Sequence, residues 1–374
     1  MKKILFITPS KAIGGTNSSL ASLISYLSPK CKIDILLLSS DGTGQYEFLR
    51  NAYTNRLLDA YYTRFEYLDW KTKFIACIIK VLKRCHIPIQ NIINKYVAYK
   101  YQKKYSYDIV VGYSEGNSMR LASAFNTKLK YTWIHCEYDR AIPITVNELS
   151  YYEKFHKIVC VSKYTMKCFL NRYPSLDNIT ISVYNLIDTN RILSLSSGMI
   201  NDQIFNSKDY SIISVGRMHP VKQFSKIPQI AYSLRSKNLI FKWFIIGGPI
   251  NDEYRLIESE IEKYRVAEFV VLLGPKSNPY PYFKKADLYV ATSKSEACPM
   301  VFIEAKLLGI PIISTDFASA YEFISNDSQI TTIDKIADLI YDNYENQCIH
   351  KNLTSDIVDT DITEKRKIDK LFLD

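Results

Sequence analysis

Residues 292–309 read TSKSEACPMVFIEAKLLG, and the rest of the chain is best understood outward from them. An apolar strand at 287–291 precedes them, a short polar loop follows, and a helix begins near Pro299. Proline suits the first helical position, because its missing N–H would have no partner there and its fixed φ is already helical. The first-turn N–H groups, from Met300 onward, then carry the positive end of the helix dipole. Ala297, Cys298, Pro299 and Met300 would form the lip of an anion site at the carboxyl end of a strand. Glu296 lies in the loop and Glu304 in the helix, where side chains lean back toward the helix start. Two carboxylates beside such a site could hold the hydroxyls of a sugar nucleotide while the amides take its diphosphate. Two solvated glutamates on a surface helix are the plainer alternative.

Upstream, a strand at 210–215 runs into Gly216-Arg217-Met218-His219-Pro220-Val221-Lys222. A guanidinium and an ammonium on one glycine loop suit a diphosphate, the first as a fork and the second as a point charge. A solvated basic loop is again the alternative. Buried strands at 241–248, 269–274 and 311–315 and an amphipathic helix at 253–264 complete a β-α alternation.

The first half repeats that grammar. KILFITP (3–9) is an apolar strand, and GGTNSSLASLISYL (14–27) is a glycine turn opening a helix. Gly14-Gly15 would let backbone amides approach an anion or substrate closely. Further strands are expected at 33–39, 107–113, 130–134 and 157–161, with Ser162 as N-cap of the helix that follows. The fourth of these five strands runs into His135, placed where an imidazole can donate or accept near neutral pH. Residues 41–68 read as mixed loop and helix.

The chain has 374 residues, enough for two domains, with 47% hydrophobic and 23% charged residues. Its eight cysteines show no C-x-x-C pair and no metal spacing, so reduced thiols in the cytoplasm are expected. The N-terminal apolar run is too short for a signal peptide, and no stretch reaches the ~20 apolar residues of a membrane span. The net charge of +10 is concentrated between Trp70 and Tyr107, which hold nine Lys and Arg and no acid. Pro88 should divide this stretch into two helices. Its mixed apolar and basic character predicts a helix on an anionic membrane surface, against the alternative of a domain helix with solvated lysines. No nucleic-acid module accompanies the charge.

These motifs resemble those of the large retaining glycosyltransferase family with the GT-B fold (family 4, glycosyl transferases group 1). E-x7-E at Glu296 and Glu304, followed by Ala305, Gly309 and Pro311, is similar to its donor signature. Gly216, Arg217 and Lys222 resemble its G-R-x-x-x-x-K-G element, with Gln223 in place of the last glycine. Residues 183–188 resemble its N-P-x-D domain crossing, with Leu186 for proline, and N-P-Y-P at 278–281 is also family-like. W-I-H-x-x-Y at 133–138 resembles polysaccharide-assembly members.

The resemblance implies an α/β fold of two Rossmann-like domains facing across a cleft. The first (1–190) would bind the acceptor and the second (208–345) the nucleotide sugar, with a tail (346–374) packing back on the first. It implies that His135, Arg217, Lys222 and Glu296 serve catalysis. Gly15, Arg217, Lys222, Ala297, Cys298, Pro299, Met300 and Glu304 would bind the donor, Glu304 through ribose. Neither metal nor cofactor is expected beyond the nucleotide-diphosphate sugar. The acceptor would be a saccharide, lipid-linked, used at the inner membrane face for polysaccharide assembly. Two other readings share this architecture: a sugar-nucleotide epimerase and a non-catalytic partner subunit of a membrane glycosyltransferase.

Overall fold

The computed structural model describes residues 1–9, 14–38, 56–59, 89–200, 202, 205, 209–248, 252–346 and 354–374. Of the basic stretch, residues 70–88 lie outside the described residues. The chain forms two compact units, residues 1–186 with 364–374, and residues 187–363.

The first unit is built on seven strands: β1 (Lys3–Thr8), β2 (Lys32–Leu37), β3 (Arg56–Asp59), β4 (Ile109–Gly112), β5 (Leu129–Ile134), β6 (Lys157–Cys160) and β7 (Thr180–Ser182). All pair in parallel, in the order β3-β2-β1-β4-β5-β6-β7. A parallel sheet is covered on both faces, so its strands are continuous apolar runs; Ile4, Leu5, Phe6 and Ile7 of β1 are all fully buried. Helices α1 (Gly15–Leu27), α2 (Ile89–Tyr105), α3 (Asn117–Ser123) and α4 (Lys163–Arg172) belong to this unit. α2 begins at Ile89, and the helix expected on the other side of Pro88 lies outside the described residues. Ser162 caps α4 in a reciprocal capping box with Thr165. Gly112 lets α3 close on β4, because a Cβ there would stand 2.8 Å from the Met119 Cα.

The second unit has six parallel strands: β8 (Tyr210–Val215), β9 (Phe241–Ile246), β10 (Val270–Gly274), β11 (Leu288–Ala291), β12 (Ile312–Thr315) and β13 (Ile330–Thr331). Their order is β10-β9-β8-β11-β12-β13. Its helices include α5 (Thr189–Ser196), α6 (Ile227–Ser236), α7 (Glu253–Tyr264), α8 (Tyr280–Lys285), α9 (Met300–Leu307) and α10 (Ile336–Asn346). A buried hydrogen-bond relay ties the centre of this sheet together. Trp243 Nε1 donates to Ser214 Oγ at 3.0 Å, and Ser214 Oγ donates to the Val290 carbonyl at 2.6 Å. Both sheets reverse their winding at their centre, between β1 and β4 and between β8 and β11, and ligands bind outside the carboxyl ends of strands at such points.

The division between the units falls inside the 183–188 crossing. The polar run 194–208 reads from sequence as the linker between the domains, but its first residues, 194–196, close α5, which packs in the second unit, where Ile187 and Ile192 cluster with Met300. A last helix, α11 (Thr354–Phe372), carries its residues from Glu364 onward into the first unit. There the Phe372 ring meets Phe6 at 5.9 Å, Tyr131 at 5.7 Å and Trp133 at 6.0 Å. Asp369 pairs with Lys30 at 2.9 Å and accepts from Tyr26 Oη at 2.8 Å. No helix among the described residues is long and apolar enough to cross a membrane.

Candidate functional site

The candidate site of the second unit is assembled from the loops after β8 and β11, neighbouring strands at its switch point. After β8 the backbone turns tightly against the end of β9. An added Cβ on Gly247 would lie 1.7 Å from the Gly216 carbonyl oxygen, so only glycine fits. The Gly216–Lys222 loop is then laced to the loop after β11. Thr292 Oγ1 donates to the Lys222 carbonyl at 2.7 Å, and the Lys294 N–H donates to the Val221 carbonyl at 2.8 Å.

These backbone ties set two side chains against each other. The Lys222 ammonium donates to Glu296 Oε1, and Ser293 Oγ donates to the same oxygen at 2.7 Å. Ser319 Oγ fixes the Glu296 backbone carbonyl at 2.5 Å. Both side-chain bonds fall on Oε1, so Oε2 is left for another donor. Arg217 stands apart. Its side chain is exposed and makes no hydrogen bond or ion pair among the described residues, while its backbone carbonyl accepts from the His219 N–H at 2.8 Å. Gln223, where the family-like motif has glycine, adopts the left-handed region at φ 50°, ψ 33°. That conformation explains the glycine preference and costs glutamine ~1 kcal/mol or more.

Ala297 and Cys298 are half-buried and lead into α9. Pro299 occupies the N-cap, not the first helical position, with φ −73° and ψ 86°, and Met300 begins the helix. No side chain caps this end. One turn on, Glu304 accepts from Tyr280 Oη of α8 at 3.4 Å. Desolvation pushes its carboxyl up to about 7, with the Tyr280 hydrogen bond opposing part of the effect.

In the first unit, Gly14 is the N-cap of α1 and Gly15 its first residue. His135 follows β5, with its ring 4.8 Å from the Tyr113 ring, and Tyr113 Oη lies 3.1 Å from Ser19 Oγ of α1. His135 Nε2 is buried without a partner. Burial holds the imidazole down to about 3, so it is neutral at physiological pH, with an open nitrogen for a ligand hydroxyl. Its backbone N–H donates to the Glu115 carboxylate, which also accepts from Cys136. Desolvation raises the Glu115 carboxyl above its ordinary value, and these hydrogen bonds oppose the rise.

Within the second unit the fold therefore joins Lys222 to Glu296 and places Glu304 on Tyr280, while Arg217 remains outside. Sequence reasoning missed Glu115, Ser293, Ser319 and Tyr280. Ser293, three residues before Glu296, Glu115, in the turn after β4, and Tyr280, inside the N-P-Y-P run at 278–281, carried a positional signal; Ser319 carried none. Among the described residues no group of three or more His, Cys, Asp or Glu is placed to hold a metal ion.

Residues 199–354 match the family described as Glycosyl transferases group 1. That match lies wholly within the second unit. The O-antigen biosynthesis glycosyltransferase WbnH of Escherichia coli is 29% identical over 195 residues, covering 50% of this chain and 52% of WbnH. The chain thus spans about half the length of the curated relatives it matches first. The N-acetylgalactosamine-N,N'-diacetylbacillosaminyl-diphospho-undecaprenol 4-alpha-N-acetylgalactosaminyltransferase of Campylobacter jejuni is 29% identical over 148 residues, 39% of this chain and 38% of that one. Among solved structures, Anabaena HepE in complex with UDP and glucose superposes with a TM-score of 0.71 at 15% identity, covering 100% of this chain and 96% of HepE. The fold is α/β and matches that of GT-B glycosyltransferases.

Proposed function

We propose that the protein is a glycosyltransferase that moves a sugar from a nucleoside-diphosphate sugar to a lipid-linked saccharide, with retention of anomeric configuration, in polysaccharide assembly. The observation that carries this reading is the Lys222–Glu296 pair, held where the loops after β8 and β11 meet. In this reading the diphosphate lies over the start of α9, and Lys222 and Arg217 stabilise its charge as it leaves with the bonding electron pair. Glu296 positions the Lys222 ammonium through Oε1 and accepts a sugar hydroxyl on Oε2. Glu304 accepts from the ribose, and neutral His135 offers Nε2 to a hydroxyl.

Retention rests on the family resemblance. The polysaccharide assignment is supported by the name of WbnH, and the lipid-linked acceptor by the diphospho-undecaprenol in the name of the Campylobacter relative. Uridine diphosphate sugars are the first donors to try, since HepE was solved with UDP and glucose. The test is incubation with a panel of UDP- and GDP-sugars, with and without saccharide acceptors, followed for released nucleoside diphosphate and for epimerised sugar. Slow nucleotide release from one donor, accelerated by an acceptor, is expected. Epimerised sugar without nucleotide release would make the protein an epimerase, and inertness toward every donor would leave a non-catalytic subunit.

A further inference from the structure

Helix α2 has two contrasting faces. Val97 and Ala98 are buried in the core of the first unit, and Ile93, Tyr101 and Tyr105 pack against the same core. On the other side Ile92, Tyr96 and Tyr99 are 59%, 66% and 62% exposed. At 3.6 residues per turn these three and Lys103 fall within an arc of about 60°. Lys95 flanks that stripe on one side, Lys100 and Lys104 on the other, and all four lysines are exposed. The helix contains no acidic residue. Lys103 extends along the stripe, its Nζ 5.8 Å from the centre of the Tyr99 ring.

We propose that α2 lies flat on an anionic lipid surface, with Ile92, Tyr96 and Tyr99 in the headgroup layer and the four lysines on lipid phosphates. Three features favour that occupant. Tyrosine has an apolar ring and a polar tip, which suits the depth of the headgroups. Lysines on both flanks extend their stems along apolar surface and reach outward to charge, as a planar array of phosphates requires. The absence of acids leaves nothing on the helix to repel an anionic plane. A polynucleotide would engage the lysines but leave Ile92 in water. The proposal goes beyond the sugar-nucleotide reading and does not depend on it.

The test is co-sedimentation of the full chain with phosphatidylcholine vesicles and with vesicles containing phosphatidylglycerol, at low and high salt. Three proteins are compared: wild type, a Lys95→Glu/Lys100→Glu/Lys103→Glu/Lys104→Glu variant, and an Ile92→Ser/Tyr96→Ser/Tyr99→Ser variant. A Lys→Gln set at the same four positions replaces the charge reversal if that protein fails to fold. Circular dichroism and nucleotide binding, measured on the same samples, report folding and keep this question separate from the donor site. Wild type should bind anionic vesicles and weaken as salt rises. Each lysine near the surface is worth about fivefold, so the charge-reversed variant should lose at least ~100-fold. The serine variant should lose about tenfold or more while keeping its salt dependence. The proposal is overturned if wild type ignores anionic vesicles or binds neutral ones as tightly. It is equally overturned if both folded variants bind like wild type, or if wild type prefers an acidic protein or polynucleotide to vesicles.

Discussion

Replacing Glu304 by glutamine tests a carboxylate that the fold holds in a costly place. Desolvation moves its folded-state pKa from 4.5 to about 7. Below pH 4.5 the group is protonated in both folded and unfolded chains and contributes nothing. Between 4.5 and 7 the unfolded chain releases its proton while the folded protein keeps it, so stability falls as pH rises. Above 7 the loss is complete. At 1.36 kcal/mol per pH unit it amounts to about 3 kcal/mol. Glutamine is nearly isosteric with the neutral acid and does not titrate. Glu304→Gln should therefore match wild type near pH 4.5 and exceed it by about 3 kcal/mol at pH 8. Urea unfolding of the ligand-free proteins at several pH values measures both. The same variant should bind nucleoside diphosphate more weakly at pH 8, because a ribose hydroxyl donates better to a carboxylate than to an amide. Wild-type affinity should rise through pH 7 more steeply than that of the variant, with phosphate ionisation common to both. Parallel stability profiles for the two proteins would refute the desolvated, ligand-awaiting carboxylate.

Arg217→Ala and Lys222→Ala should each lower turnover by about 10²-fold or more in steady-state assays, as expected for a lost contact to the leaving group. Gln223→Gly removes a left-handed non-glycine residue and should raise stability by about 0.5–1 kcal/mol in urea melts, after the entropy cost of glycine. Phe372→Ala empties a fully buried ring site between β1 and β5 and should cost the first unit about 3–5 kcal/mol by the same measurement. Activity should survive EDTA, because the reading assigns the leaving-group charge to Arg217, Lys222 and the α9 start. Loss on chelation, restored by Mn²⁺ or Mg²⁺, would contradict that assignment.

The central strands were legible because a parallel sheet buried on both faces writes itself as unbroken apolar runs; KILFIT and YSIISV need no partner to be recognised. The short outer strands β3, β7 and β13 have four, three and two residues and offer no such run. Lys222 and Glu296 could be nominated from loops at strand ends, but their contact depends on how β8 and β11 pair. Ser319 joins them from a distant loop, and no local pattern could announce it. The proline at 299 was placed one position too far into the helix, an error within the ordinary scatter of helix ends. The segment 194–196 reads as polar linker because the apolar contacts that hold α5 are long-range, from Ile192 and from Ile187 just before the helix to Met300. Gln223 shows a different limit: a departure from a glycine motif was visible in the sequence, but not that glutamine would adopt the glycine conformation.

The arrangement of the donor site is tested most directly by a crystal structure of the protein with UDP or GDP, whichever binds more tightly in titration. The account predicts the β-phosphate against Lys222 and the first amides of α9, with Arg217 drawn onto the diphosphate and a ribose hydroxyl on Glu304. A nucleotide bound elsewhere, or bound with Lys222 and Glu304 both untouched, would contradict it.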